Sequence, residues 1–208
     1  MPDLSLELAE VSDGFGVVCG VDEAGRGSWA GPVVAGAVVL EREPLSNEIR
    51  LGVDDSKKLK RAARYSLFET LRSQARIGIG VAGVEEIDEL NILQATLLAM
   101  RRAIDDLGVP VPELALVDGN SSPKLPYAVR TVVKGDGRSL SIAAASIAAK
   151  VSRDHLMTVL DGQYPGYGWA HNAGYGTAKH KSALQDLGVT PVHRKSFAPI
   201  RKILSPGL

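Results

Sequence analysis

Gly20-Val-Asp-Glu-Ala-Gly-Arg-Gly-Ser-Trp-Ala-Gly-Pro32, followed at once by Val-Val-Ala-Gly-Ala-Val-Val-Leu40, is the stretch on which the architecture turns. Formally, Gly25, Gly27 and Ala30 match the spacing of a dinucleotide-binding turn. The chemistry opposes that match. Two carboxylates, Asp22 and Glu23, stand where a pyrophosphate would lie, and the apolar run 32–40 reads as a strand where the motif demands a helix N-terminus. The glycines read instead as a backbone loop able to approach a ligand closely, with Arg26 available for a phosphate.

Outward from this loop, residues 15–21 and 32–40 read as strands, each a short apolar run rich in valine. Residues 60–75 read as a helix, 77–84 as a short strand, and 86–107 as one long helix. In that helix Leu90, Leu93, Leu97, Met100 and Ile104 recur at three- and four-residue spacing and mark a core face. Residues 113–117 and 127–133 read as two more strands, and 139–160 as an Ala-rich helix able to lie close on a sheet. Strands interleaved with helices, without repeat, low-complexity tract or flexible linker, predict an α/β fold with a mixed sheet in one domain spanning 1–208.

The 208 residues, 45% hydrophobic, suffice for a sizeable core. No run approaches the roughly 18 to 20 apolar residues of a membrane span, and the opening residues lack the basic-then-apolar form of a signal peptide; a cytoplasmic protein without membrane contact is expected. The lone Cys19, among Val17, Val18 and Val21, reads as a core residue and not a nucleophile. Formal net charge is zero but unevenly spread: residues 1–120 hold 12 Lys and Arg against 20 Asp and Glu, residues 121–208 hold 12 against 4. A basic second half suits a surface that tracks phosphates, and equally an ordinary solvated face.

Asp22 and Glu23 follow the first expected strand, Asp118 ends the run Glu-Leu-Ala-Leu-Val, and Asp136 falls between a strand and a helix. In an open α/β sheet the strand ends border the ligand crevice, so acids distant in sequence converge there. Clustered carboxylates repel, and a divalent cation is the usual compensation. An all-oxygen set without Cys or a paired His motif favours Mg²⁺ or Mn²⁺ over Zn²⁺. One Asp at a strand end is more often a turn residue, but four beside glycine-rich segments argue for a site. His155, His171, His180 and His193 lack metal-ligand spacing and read as solvated or structural. Asp154 reads as a helix ion-pair partner or a support for a phosphate-binding loop. A Ser-His-Asp hydrolase would need a Gly-Xaa-Ser-Xaa-Gly elbow after a strand, which the chain lacks.

Six motifs stand in series: Val-Asp-Glu-Ala-Gly-Arg-Gly at 21–27, Asp-Ser-Lys-Lys-Leu at 55–59, Val-Asp-Gly at 117–119, Lys-Gly-Asp at 134–136, Ser-Ile-Ala-Ala-Ala-Ser-Ile-Ala-Ala-Lys-Val-Ser-Arg-Asp at 141–154, and Asn-Ala-Gly-Tyr-Gly-Thr-Ala-Lys-His at 172–180. In this order and spacing, on to His-Arg-Lys-Ser-Phe at 193–197, the chain resembles ribonuclease HII. The related type with an added N-terminal substrate-binding domain is disfavoured, since fewer than 20 residues precede the first expected strand.

The resemblance implies a ribonuclease-H-like mixed sheet flanked by helices, with a core at about 15–165 and a C-terminal helical part, about 166–208, completing the substrate groove. It implies that Asp22, Glu23, Asp118 and Asp136 hold two Mg²⁺ or Mn²⁺ ions. The implied substrates are RNA/DNA hybrids and DNA duplexes with embedded ribonucleotides, cut on the 5′ side to leave 3′-hydroxyl and 5′-phosphate ends. Gly25, Arg26 and Gly27 match the loop whose main chain meets the 2′-hydroxyl, and Tyr175 matches the tyrosine that bonds it. Lys57, Lys58, Lys150, Arg153, His180, Arg194 and Lys195 are candidates for phosphate contact, with Ser56 and Ser146 as weaker ones. The tail Arg-Lys-Ile-Leu-Ser-Pro-Gly-Leu selects no partner such as a replication clamp, and nothing calls for more than a monomer.

Overall fold

The structure, a computed structural model, describes residues 1–40 and 45–205, so the end of the C-terminal tail lies outside the described residues. In chain order these form α1 (Ser5–Ser12), β1 (Val18–Ala24), β2 (Val33–Leu40), α2 (Asn47–Gly52), α3 (Arg61–Gln74), β3 (Ala75–Ala82), α4 (Val84–Leu90) and α5 (Ile92–Asp106). Then follow β4 (Leu114–Asp118), β5 (Ala128–Val132), α6 (Leu140–Gln163), α7 (Trp169–Asn172), α8 (Ala178–Leu187) and α9 (Ala198–Leu204). None of these helices is long and apolar enough to cross a membrane.

The five strands make one mixed sheet in the order β3-β2-β1-β4-β5. β2 runs antiparallel to β1 and β3, while β4 runs parallel to β1 and β5. Side chains alternate across β1 with the period of a pleated strand. Cys19 and Val21 enter a core shared with Ala95, Ala99, Met100 and Ala103 of α5. Gly20, on the opposite face, lies under α6: a Cβ there would stand 2.2 Å from the backbone carbon of Ser141. Only glycine permits that approach, and the helix brings Ala143, Ala144, Ala145 and Ala148, all fully buried, onto the same face. Cys19 is fully buried, and burial pushes its thiol up to about 12, so it is not a nucleophile.

Three expectations are corrected. β1 continues through Asp22 and Glu23 to Ala24, because its pairing with β2 persists to Ala24 opposite Val34; the two acids lie within the strand, not after it. The single helix 86–107 is two helices. Asn91, at φ 73°, ends α4, and its side-chain oxygen accepts from the amides of Leu93 (2.9 Å) and Gln94 (3.1 Å), capping α5. That break turns the stripe: Met100 and Ile104 are buried, Leu97 is partly so, and Leu90 and Leu93 are 39% and 36% exposed. The core face of α5 is instead built on Ala95, Ala99 and Ala103.

α1 and α2 are absent from the sequence reading because neither has a strong period of its own. α1 is held by tertiary bonds: the buried Glu7 carboxylate accepts from the Ser141 amide at 2.9 Å and from the hydroxyls of Ser139 and Ser141 at 2.6 Å. The last three helices gather around Tyr167, Trp169, Leu184 and Ile200 in a separate apolar cluster that also holds Ala30 and Met157.

Candidate active site

Parallel pairing of β1 and β4 runs to Val21 opposite Val117, so the next residues, Asp22 and Asp118, are neighbours on adjacent strands. After β5, Lys134 takes a left-handed conformation (φ 55°) and leads into a 3₁₀ turn, Gly135–Gly137, that carries Asp136. The turn is tied to β4, since the Gly135 amide donates to the Asp118 carboxylate at 2.7 Å. Asp22, Asp118 and Asp136 thereby bring ligand oxygens within 4.8 Å of one another. Glu23 is not in this triad. It forms an ion pair with Arg26 at 3.3 Å.

The charges conflict, as their titration reflects. Burial pushes Asp22 well above the ordinary carboxylate range, and Glu23 and Asp118 add to it. Glu23 is raised by burial and Asp118 against the pull of Arg26, and Asp136 by burial, Asp118 and Asp55. Lys57 feels the opposite field: burial lowers it, but Asp22, Asp55, Asp136 and Asp118 together leave it raised. An all-oxygen triad of mutually repelling carboxylates fits a hard divalent cation.

Beside the triad is a groove of about 390 Å³, with the strand end and loop Glu23–Gly27 on one wall and Ser56, Lys57, Lys150 and Tyr175 on the others. A larger, mainly apolar cavity of about 430 Å³ lies at the far end of β1, lined by Val17, Val18 and Val39, and is remote from the acids. Gly25 has φ +97°, and a Cβ there would fall 1.9 Å from Arg153 Nε, so both conformation and space demand glycine. The structure thus brings Gly25, Arg26, Gly27 and Tyr175 to the groove that borders the acids. A model of the ribonuclease HII family matches residues 19–200. The chain belongs to that family.

Ribonuclease HII of Paramagnetospirillum magneticum is 55% identical over 204 residues, 98% of this chain and 99% of that one. Among solved structures, ribonuclease H2 of Pyrococcus horikoshii OT3 matches with a TM-score of 0.74 at 28% identity, covering 90% of this chain and 96% of that one. Ribonuclease HII of Archaeoglobus fulgidus, solved in complex with PCNA, matches at 0.70 and 27%, covering 86% and 93%. The chain is therefore a ribonuclease H, with the mixed sheet and flanking helices expected of a ribonuclease HII.

The expected phosphate contacts divide by burial. Lys57 faces the acids and Lys150 lines the groove, bonded to Asp154 at 2.6 Å, which is the helix ion pair read from the sequence. Lys58 is exposed and pairs with Asp54 at 3.1 Å, and the exposed Lys195 gives its backbone amide to Asp88 at 3.0 Å. Ser56 and Ser146 are buried and bonded to each other at 2.8 Å, and Ser146 partly counters the upward shift of Asp22. Arg153, His180 and Arg194 have a different place from the one expected: all three are fully buried.

The two arginines serve the chain's own carbonyls. Arg194 donates to Gly31 (2.9 Å), Arg26 (3.0 Å) and Pro32 (3.0 Å). Arg153 donates to Pro32 (3.0 Å), Ala173 (2.9 Å) and Ala30 (3.3 Å), and lies 5.9 Å from the centroid of the Tyr175 ring. Together they fasten the glycine loop to the loop that carries Tyr175. Burial, followed by repulsion from Arg153, holds Arg194 down to about 9. Tyr175 itself is 42% exposed, with its ring beside Gly27.

Proposed function

We propose that the chain is an endonuclease that hydrolyses the RNA strand of RNA/DNA hybrids and cuts duplex DNA on the 5′ side of an embedded ribonucleotide, leaving 3′-hydroxyl and 5′-phosphate ends. The observation that carries this reading is the adjacency, through Asp22 and Glu23 on β1, of the Asp22, Asp118 and Asp136 triad to the groove lined by Glu23, the Gly25–Gly27 loop and Tyr175. Asp22, Asp118 and Asp136, with Glu23 alongside, would hold the metal. Two bound Mg²⁺ or Mn²⁺ ions would supply activation of the attacking water and neutralisation of the charge developing on the leaving 3′ oxygen.

The chain's other groups select and orient the substrate. Only the 2′-hydroxyl, both donor and acceptor, separates a ribonucleotide from its deoxy counterpart on the sugar. The main chain of Gly25, Arg26 and Gly27 reads that hydroxyl at close range, and the half-exposed Tyr175 bonds it and packs on the adjoining sugar. Lys57, Lys58, Lys150 and Lys195 meet phosphates and offset the acids.

The test is cleavage of two otherwise identical labelled DNA duplexes, one with a single embedded ribonucleotide, each with Mg²⁺, with Mn²⁺ and with chelator. Metal-dependent cutting only at the 5′ side of the ribonucleotide is expected. Cutting of the all-deoxy duplex, or none of either, would overturn the reading.

A further inference from the structure

His180 and His193 lie outside the groove, fully buried, yet they form a chain of hydrogen bonds that ends on Tyr175. The direction of every link is determined by its first donor. The Thr190 backbone N–H donates to His193 Nδ1 at 2.9 Å, so that nitrogen is an acceptor, and the Thr190 hydroxyl reaches it at 2.8 Å. A neutral imidazole has one donor and one acceptor nitrogen, so the proton of His193 sits on Nε2. It points at His180 Nε2, 3.0 Å away, which also receives the indole N–H of Trp169 at 3.2 Å. His180 Nε2 is therefore an acceptor, and His180 Nδ1 carries the proton that reaches the Tyr175 carbonyl at 3.0 Å.

A second proton on either ring would set donor against donor, at Thr190 or at the junction of the two rings. Consistently, burial and then the His180 ring hold His193 down to about 4, and burial lowers His180. The rings of Trp29, Tyr167 and Trp169 enclose the pair, with centroids 5.1 to 5.9 Å from those of the imidazoles, which leaves the imidazoles little freedom to turn.

We propose that His193 and His180 are positioning residues for ribonucleotide recognition: a one-way relay from Thr190 that pins the main chain at Tyr175 and so sets where its ring stands over Gly27. The inference rests on the reading of Tyr175 given under Proposed function. Arg153 and Ser28 hold the same loop at the Ala173 carbonyl, and the relay adds the anchor at Tyr175 itself.

Two measurements test it. Long-range ¹⁵N correlation spectra of the full chain near neutral pH should show neutral His193 protonated at Nε2 and neutral His180 protonated at Nδ1; either opposite tautomer, or a charged ring, would overturn the relay. In the second, His193→Asn keeps an acceptor for Thr190 but removes the donor to His180, whereas His193→Gln places an amide N–H near Nε2. His193→Asn should lower kcat/KM at a single embedded ribonucleotide about tenfold, the worth of one lost hydrogen bond, and His193→Gln much less. In a Tyr175→Ala background, His193→Asn should have little further effect. Equal losses in both backgrounds, or no loss in either while Tyr175→Ala alone is damaging, would overturn the relay and leave the Tyr175 reading standing. A Tyr175→Ala protein that cuts normally would overturn the Tyr175 reading, and the relay's part in specificity with it.

Discussion

Replacing Asp22 by Asn should make the metal-free protein more stable while abolishing cleavage. Ligand oxygens of Asp22, Asp118 and Asp136 lie within 4.8 Å of one another. At that separation and an effective dielectric of about 20, a fully charged pair repels by at least about 3 kcal/mol. Part of this is shed by proton uptake, so a gain of about 2 kcal/mol is expected, which for a chain of this size raises Tm by roughly 4 to 8 °C. Asn can still accept the Glu23 amide that Asp22 Oδ1 accepts at 2.7 Å. The pH dependence supplies an internal control. Asp22 is held above its ordinary value of 3.8, so between the two values the folded chain binds more proton than the unfolded one, and stability falls as pH rises through that window. Wild type and Asp22→Asn should therefore converge as the pH falls toward 4 and separate above it. Thermal unfolding in chelator reads the gain, and adding excess Mg²⁺ should stabilise wild type more than the variant. If Asp22→Asn in chelator melts below wild type at neutral pH, the triad is not under charge repulsion and the argument for a cation there fails.

Four further outcomes follow from particular contacts. Tyr175→Ala should sharply reduce cleavage at a single ribonucleotide with Tm nearly unchanged, because the ring is 42% exposed; a large fall in Tm would mark it as structural. Gly25→Ala should cost about a hundredfold in cleavage, as an ångström-scale shift of the loop misplaces the substrate; near-normal kinetics would refute the close approach to Arg153. Arg194→Met leaves the Gly31 and Arg26 carbonyls without this donor, while Pro32 keeps Arg153, and should lower stability in urea by about 2 kcal/mol or more, with a loss under about 1 counting against the arginine fastening. His193, held at about 4 against an ordinary 6.5, contributes stability that is complete above 6.5 and lost as pH falls toward 4, about 3 kcal/mol in all; denaturation at the two ends of that window should show it in wild type and not in His193→Gln.

The strands were legible because both faces of the central ones are buried, which leaves uninterrupted runs such as 33–39 in the sequence. The acids Asp22 and Asp118 were legible for a related reason, since a carboxylate ending or interrupting such a run has no packing role, whereas Asp136 stood out only by its place between a strand and a helix beside glycines. The Asn91 break was not, because asparagine is only mildly unfavourable inside a helix and its capping depends on a positive φ that no neighbour announces. Nor was the burial of Arg153 and Arg194. An arginine reads as surface unless a partner is in view, and these partners are carbonyls up to 168 residues away, most of them in the stretch 26–32. His180 and His193 escaped similarly: 13 residues apart, they become a pair only when α8 and the following loop fold back on Trp169.

The two halves of the site are held by different means, and the difference suits their tasks. The acids hang on hydrogen-bonded strands and a 3₁₀ turn tied to β4, where main-chain pairing fixes them against their own repulsion. The glycine loop and Tyr175 have no ladder to rest on. Their positions depend on main-chain bonds such as Trp29 N–H to the Gly174 carbonyl, and on two buried arginines and the His180 imidazole that donate to main-chain oxygens. A carboxylate in place of those carbonyls would have paired Arg153 and Arg194 more strongly, but it would also have added negative charge beneath a groove that must accept phosphates. Carbonyl partners satisfy the guanidiniums without adding a carboxylate, so the same two residues hold the glycine loop in place at no cost in negative charge.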